Sequence, residues 1–298
     1  MNKFFKSGAA LALYSSIFIG IALVILEVGT KTIGPLTTLA YVQTIGGIFL
    51  IALALLTKQK LEFRKLFSKY KKETIEIILT RNILGQLFIF YGFSMTVAIK
   101  AGFLTRFEPI FVAILGFIFL GEKIRKRGIT AILILIAGAI LLSVQGNFSQ
   151  IGGANLGDIL VVLAMVFTAY SFIPARKIKD VNSITITAVS SLIGGAIIFL
   201  MLPITNSNII VTSLESWALI IGMAFMFNTV ALYLYYIALK TTKAWVVASV
   251  ISVQAVVSAA LAYLFLNQTL STLQIIGALI VMGASIFVTY ESMQKKEI

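Results

Sequence analysis

The chain has no cysteine and no histidine, and among its 298 residues only four are proline and 11 are acidic. Without cysteine there are no disulfides, thiolate nucleophiles or iron–sulfur ligands, and cysteine usage gives no clue to the redox compartment. Without histidine, the commonest metal ligand and the usual general base near neutral pH are missing. No GxxxxGK[ST] loop occurs to cradle the phosphates of ATP. Charged residues make up 12% of the chain, about half the share found in soluble domains, too few to clothe a soluble core of this size. What is present is apolar: 59% hydrophobic residues with 22 phenylalanines, and a mean hydropathy of +1.03. The apolar runs have helix length, unlike the roughly ten-residue alternating strands of an outer-membrane barrel. The composition is that of an all-α integral membrane protein.

A membrane-crossing helix needs about 20 mostly apolar residues. Ten segments qualify, at roughly 8–28, 35–56, 76–97, 102–121, 128–145, 157–174, 183–202, 215–238, 244–266 and 271–290. The first follows Lys3 and Lys6 but has no small-x-small cleavage site, so it reads as a retained span and not as a signal peptide. Lysine and arginine alternate sharply between the connections. The N-terminus has Lys3 and Lys6, connection 57–75 has seven basic residues, Lys123 to Arg127 has four, and Arg176, Lys177 and Lys179 follow the sixth segment. Lys240 and Lys243 follow the eighth, and Lys295 and Lys296 close the chain. Twenty of the 24 basic residues therefore fall on one side, against Lys31 and Lys100 on the other, with Arg81 and Arg106 inside segments. The positive-inside rule puts both termini in the cytoplasm of a multi-pass protein of the inner (cytoplasmic) membrane. The same clustering accounts for the net charge of +13 without a nucleic-acid partner. Connection 57–75 reads as a short amphipathic helix lying on the membrane. Trp217 and Trp245, each at the start of a segment, read as interface anchors.

The chain also resembles itself. Sliding it so that Asn82 falls on Asn228 brings Thr96 onto Thr242, Ala98 onto Ala244, Ala113 onto Ala259 and Leu115 onto Leu261. Phe119-Leu120-Gly121-Glu122 then meets Phe265-Leu266-Asn267-Gln268, and a nearly equal shift puts Gly46-Gly47 on Gly194-Gly195. Two repeats are expected, at 8–145 and 156–290, each of five segments. An odd number makes the second half enter the membrane from the opposite face. Inverted repeats are the architecture of alternating-access transporters, with the site near the midplane between halves.

Three stretches resemble a known family, the EamA-type permeases of the drug/metabolite transporter superfamily. They are FEPIFVAILGFIFLGEK at 107–123, LGDILVVLAMVFTAYSFIPAR at 156–176 and LQIIGALIVMGASIFV at 273–288. The resemblance implies ten helices in two five-helix repeats and transport of small metabolites such as amino acids, nucleosides or drugs, often outward. The chain departs from that pattern at Gln43, where many relatives have arginine. It departs again at Gln254-Ala255 and Asn267-Gln268, where Pro and Gly-Glu are usual.

Polar groups at membrane depth are functional candidates by default. Arg106 and Glu108 stand two residues apart on one helix, about 200° around it, so each needs its own partner. Arg106 suits either an anionic group or the interface. Glu108, beside the hinge candidate Pro109, suits a proton or cation site or a buried structural acid. Glu122 reads as a gating or structural ion pair at the cytoplasmic mouth. Asn82 with Gln86, Asn228 with Tyr235, and Gln254 with Ser258 each share a helix face, and with Gln43 they are candidates to line a pocket walled by Phe18, Phe167 and Tyr170. The expected function is secondary transport of a small zwitterionic or neutral metabolite, amino acids first, with no cofactor. The alternative is proton-coupled efflux of cationic drugs through Glu108. A membrane enzyme would need a catalytic cluster, and a scaffold would need a soluble domain; neither is legible. Helices five and ten remain available to lipid or to a homodimer.

Overall fold

The computed structural model describes residues 7–95, 104–105, 107–122, 126–144, 155–265 and 271–294. Among them every regular element is a helix. Six helical stretches are long and apolar enough to cross a membrane: Gly8–Ile25, Pro35–Leu56, Leu156–Lys177, Ser183–Met201, Leu214–Thr241 and Ala244–Phe265. Glu108–Leu120 and Thr272–Val288 are shorter apolar helices.

Local chemistry sets the helix ends. Helix α1 (Gly8–Ile33) opens at Ser7, whose hydroxyl accepts from the Ala10 N–H at 3.2 Å. It closes at Gly34, whose φ of +91° suits glycine, and Pro35 at once starts α2 (Pro35–Leu56) from the position where a missing N–H breaks no helical bond. A short helix α3 (Phe63–Lys69) follows. Its span matches part of the surface helix expected at 57–75, but residues from Lys71 onward already belong to the next long stretch. That stretch runs as α4 (Lys71–Ile77), a π-helix π1 (Ile78–Gly85) and α5 (Gln86–Met95). Helix α6 (Glu108–Leu120) ends at Gly121 in the left-handed conformation, φ +63°. Then come α7 (Lys126–Val144) and α8 (Leu156–Lys177), the latter opened by a reciprocal Asn155–Asp158 capping box. They are followed by α9 (Ser183–Met201), α10 (Leu214–Met223), a second π-helix π2 (Ala224–Ala231) and α11 (Leu232–Thr241). Helices α12 (Ala244–Ile251) and α13 (Gln254–Phe265) meet at a turn through Ser252 and Val253, and α14 (Thr272–Gln294) comes last.

The two π-helices occupy equivalent places: the shift that lays Asn82 on Asn228 lays Ile78 on Ala224 and Gly85 on Ala231. Each inserts a residue's worth of slack into a long apolar helix, a feature concentrated at functional positions.

Glycine pairs let backbones approach. A Cβ on Gly47 would lie 2.6 Å from Leu192, and one on Gly195 would lie 2.4 Å from the Thr44 hydroxyl, so α2 and α9 pack face to face. Gly20 brings α1 onto Val257 of α13, and Gly138 brings α7 onto Ile280 of α14. The main core gathers Phe172, Tyr235, Tyr236, Trp245 and Val247. Trp245 is only 7% exposed there, and its indole N–H has no hydrogen-bond partner among the described residues. It packs within the bundle and is not an interface anchor. Trp217 does lie at the rim, stacked edge-on to Tyr41 and donating to the Val211 carbonyl at 3.1 Å.

Candidate functional site

A cation that the sequence places inside a segment packs against the main core. Arg81, on π1, donates from Nη1 to the Tyr235 hydroxyl at 3.2 Å, and its guanidinium carbon lies 4.2 Å from the Tyr235 ring centroid. Tyr235, on α11, is 1% exposed and is held edge-on by Phe172 (5.2 Å between centroids) and Tyr236 (5.1 Å). The carboxylate of Glu108 is close enough for its charge to act on both Arg81 and Tyr235. Removing a cation from water costs several kcal/mol even after relaxation, and a desolvated cation–π contact returns about 2 kcal/mol. Arginine has five N–H donors in a planar fork, matched to a carboxylate, and Arg81 is partly exposed. The arrangement has the capacity to take a bidentate anionic group, with Glu108 supplying the opposite charge nearby.

The amides singled out in the sequence come together at two helix junctions. Asn82 donates from Nδ2 to Gln43 Oε1 at 2.9 Å, and Gln43 donates back from Nε2 to the Asn82 carbonyl at 3.0 Å. Asn228 donates to the carbonyls of Val42 and Gln43, both at 3.2 Å, and its Oδ1 accepts from Ser191 at 3.4 Å. All three amide residues are buried. Gly194 gives room to the Asn82 side chain and Gly46 to that of Asn228. These amides bond helix to helix, immediately beside Arg81 in the case of Asn82.

The other candidates are distributed around this centre. Phe18 packs against the cluster that holds Tyr235. Phe167 meets Phe88 at 5.6 Å, and Tyr170 meets Phe119 at 6.0 Å, with its hydroxyl facing Glu76. Gln86 is partly exposed at the start of α5. Gln254 begins α13, where its backbone carbonyl approaches Gly20, and Ser258 spends its hydroxyl on the Ala255 carbonyl at 3.1 Å. Pro109 stands in the first turn of α6. Arg106 lies outside the described residues.

At the basic end of the bundle a second cluster joins distant parts of the chain. Glu122, just after α6, accepts from Arg176 Nε at 3.2 Å and takes the Ala244 N–H on both carboxylate oxygens at 3.1 Å. It thereby caps α12, where a carboxylate also meets the positive end of the helix dipole. Arg176 continues to the Leu239 carbonyl at 2.5 Å. Nearby, Asp180 is bound by Lys69 at 2.7 Å and by the Tyr70 hydroxyl, and Asn182 takes Glu62 and Gln59 as partners at 2.7 Å each. Hydrogen bonds from Lys69 and Tyr70 hold the Asp180 carboxyl well below the usual carboxylate range, and Asp180 raises Lys69 in turn. Glu122 therefore pairs across the fold with Arg176, whereas the expected neighbours Lys123 and Arg125 lie outside the described residues.

Six helices long and apolar enough to cross a membrane, tied together by a charge pair between distant parts of the chain, define a multi-pass membrane protein by class, and comparison with known proteins gives its family. The model of the EamA-like transporter family matches residues 6–144 and again 155–290. The chain belongs to the EamA-like transporter family. It is 26% identical over 290 residues to an uncharacterized transporter of Methanothermobacter thermautotrophicus, covering 93% of this chain and 84% of that one. It is 21% identical over 284 residues to the pseudopaline exporter of Pseudomonas aeruginosa, covering 94% and 95%. A solved crystal structure shares the fold with a TM-score of 0.83 at 17% identity, covering 97% of this chain and 99% of its own.

Proposed function

We propose that the chain is a secondary transporter that moves small carboxylate-bearing zwitterions, amino acids or related metabolites, by alternating access. In this reading two five-helix halves, 8–145 and 156–290, are inverted relative to each other, with both termini in the cytoplasm. The observation that carries the substrate class is Arg81: a cation inside the bundle whose partners are an aromatic ring and a hydroxyl, with Glu108 at longer range. A substrate carboxylate on the Arg81 fork would place its charge opposite the guanidinium. Because Arg81 and Glu108 come from one half and Tyr235 from the other, relative movement of the halves remakes the site. The Glu122–Arg176 pair would close the basic end while the site faces the other way. That one relative is named an exporter favours outward transport.

The test is counterflow in liposomes preloaded with unlabelled amino acids or nucleosides. Uptake of labelled amino acid by the parent, and its loss in Arg81→Gln with normal insertion, supports the reading. Equal counterflow in Arg81→Gln, or counterflow confined to organic cations and abolished in Glu108→Gln, overturns it in favour of proton-coupled cation efflux.

A further inference from the structure

Helices α7 and α14 pack on each other at one edge of the bundle. They touch closely at mid-length: a Cβ on Gly138 would lie 2.6 Å from Ile280 and 3.0 Å from the Gly277 carbonyl. Toward the basic end the contact opens. Gly283 has nothing within 4 Å of its would-be Cβ, and a groove of about 560 Å³ separates the helices there. Buried Ala131 and Ala284 are among the small residues lining it, and the exposed side chains of Ile134 and Phe287 stand at its sides. At its mouth are Lys126 and Arg127, both exposed and without an ion-pair partner among the described residues.

We propose that this groove binds an anionic phospholipid from the leaflet on the basic side. The phosphodiester would sit between Lys126 and Arg127, and an acyl chain would lie along Ile134, Ile280 and Phe287. Two features select this occupant. A basic lip on an apolar trough is complementary to a molecule with one anionic end and one hydrocarbon end, and basic pockets between membrane helices at this depth recognise such headgroups. The positive-inside rule accounts for basic residues at a helix end, but not for an apolar trough opening directly beneath them. A second copy of the chain would instead bring two like-charged lips into the same plane, which is unfavourable without an intervening anion.

The purified full chain in detergent is titrated with phosphatidylglycerol and with phosphatidylcholine of the same acyl chains, read by native mass spectrometry and thermal unfolding. Phosphatidylglycerol should be retained and should raise Tm more than phosphatidylcholine. The double variant Lys126→Gln/Arg127→Gln, both residues being exposed, should weaken that preference roughly thirty-fold, from about 1 kcal/mol for each basic side chain at an anionic surface. Gly283→Leu should fill the trough and remove the adduct. Equal binding of both lipids, or an unchanged preference in the double variant, overturns the proposal whether or not Gly283→Leu folds. So does a dimer that Gly283→Leu dissociates, which would assign the face to a second copy.

Discussion

The Arg81 guanidinium lies on the face of the Tyr235 ring at 4.2 Å and also donates to that residue's hydroxyl at 3.2 Å. The ring and the hydroxyl hold the fork in place by different means, so substitutions separate them. Tyr235→Phe keeps the ring and removes the acceptor. A hydrogen bond to a charged group contributes about 1.5–3 kcal/mol, and losing it should weaken substrate half-saturation about ten-fold or more. Arg81→Lys keeps the charge but not the planar fork, and its loss should exceed that of Tyr235→Phe. Wild-type half-saturation in Arg81→Lys would refute bidentate recognition.

Asn82 and Asn228 make a contrasting prediction. Their amides bind Gln43 and the carbonyls of α2, so Asn82→Ala and Asn228→Ala should each lower stability by about 0.6–1.7 kcal/mol. Half-saturation should stay within two-fold of the parent. Gly46→Ala and Gly194→Ala push a methyl into the same amide side chains, at 2.4 and 2.7 Å from their Cβ atoms, and should destabilise by about 1–3 kcal/mol. Unfolding in detergent measures the first effect and liposome transport the second. Unchanged stability with raised half-saturation would return these amides to the substrate.

The contrast between Arg81 and Asn82 shows where sequence reasoning runs out. Adjacent residues, both polar at membrane depth, differ in charge and in what faces them, and Tyr235 is 154 residues away from Arg81. Periodicity places Asn82 on a helix face but does not distinguish a face that lines a cavity from one that meets a neighbouring backbone. Arg81 carries a legible signal, a charge inside an apolar segment, but its partner does not adjoin it in the chain. The apolar run at 35–56 coincides with α2 because Gly34-Pro35 marks its start chemically. Trp245 stands at a segment start, a position shared by an interface anchor and by a helix start buried beneath Glu122, and the fold uses it as the latter.

Asp180 gives a pH prediction. Its carboxyl is held below the normal range by Lys69 and Tyr70, so the bonding stabilises the fold fully above the unfolded carboxylate pKa of about 3.9 and fades as pH falls through the lower folded value. Lys69, raised, works in the opposite sense: its share persists through neutral pH and is lost only as pH rises past about 10.4. The Tm difference between the parent and Asp180→Asn should therefore be flat from about pH 7 to pH 5 and shrink below about pH 4. Because the groups are exposed, 1 M salt should reduce it. A difference that changes between pH 5 and 7 would mean that another group governs this loop.

Glu122 makes the last prediction, and the absence of native cysteine makes it clean to measure. One carboxylate there holds Arg176 and the start of α12, and Arg176 holds the end of α11 through Leu239. Glu122→Gln keeps an acceptor but deletes the charge, leaving Arg176 unpaired at a site where Glu122 is only 8% exposed. Breaking such a pair costs about 3–5 kcal/mol, which the fold can relieve by separating these helices and hydrating the arginine. A single cysteine at Ala238, fully buried beside Leu239, reports that separation. Labelling of Ala238→Cys by a membrane-impermeant maleimide from the basic side should be at least ten-fold faster in the Glu122→Gln background. Arg176→Gln should act in the same direction, and combining the two should add little, because either change removes the same pair. A purely structural Glu122 would lower Tm and leave the labelling rate of the folded fraction unchanged, and that result would end the case for a gate at this end of the bundle.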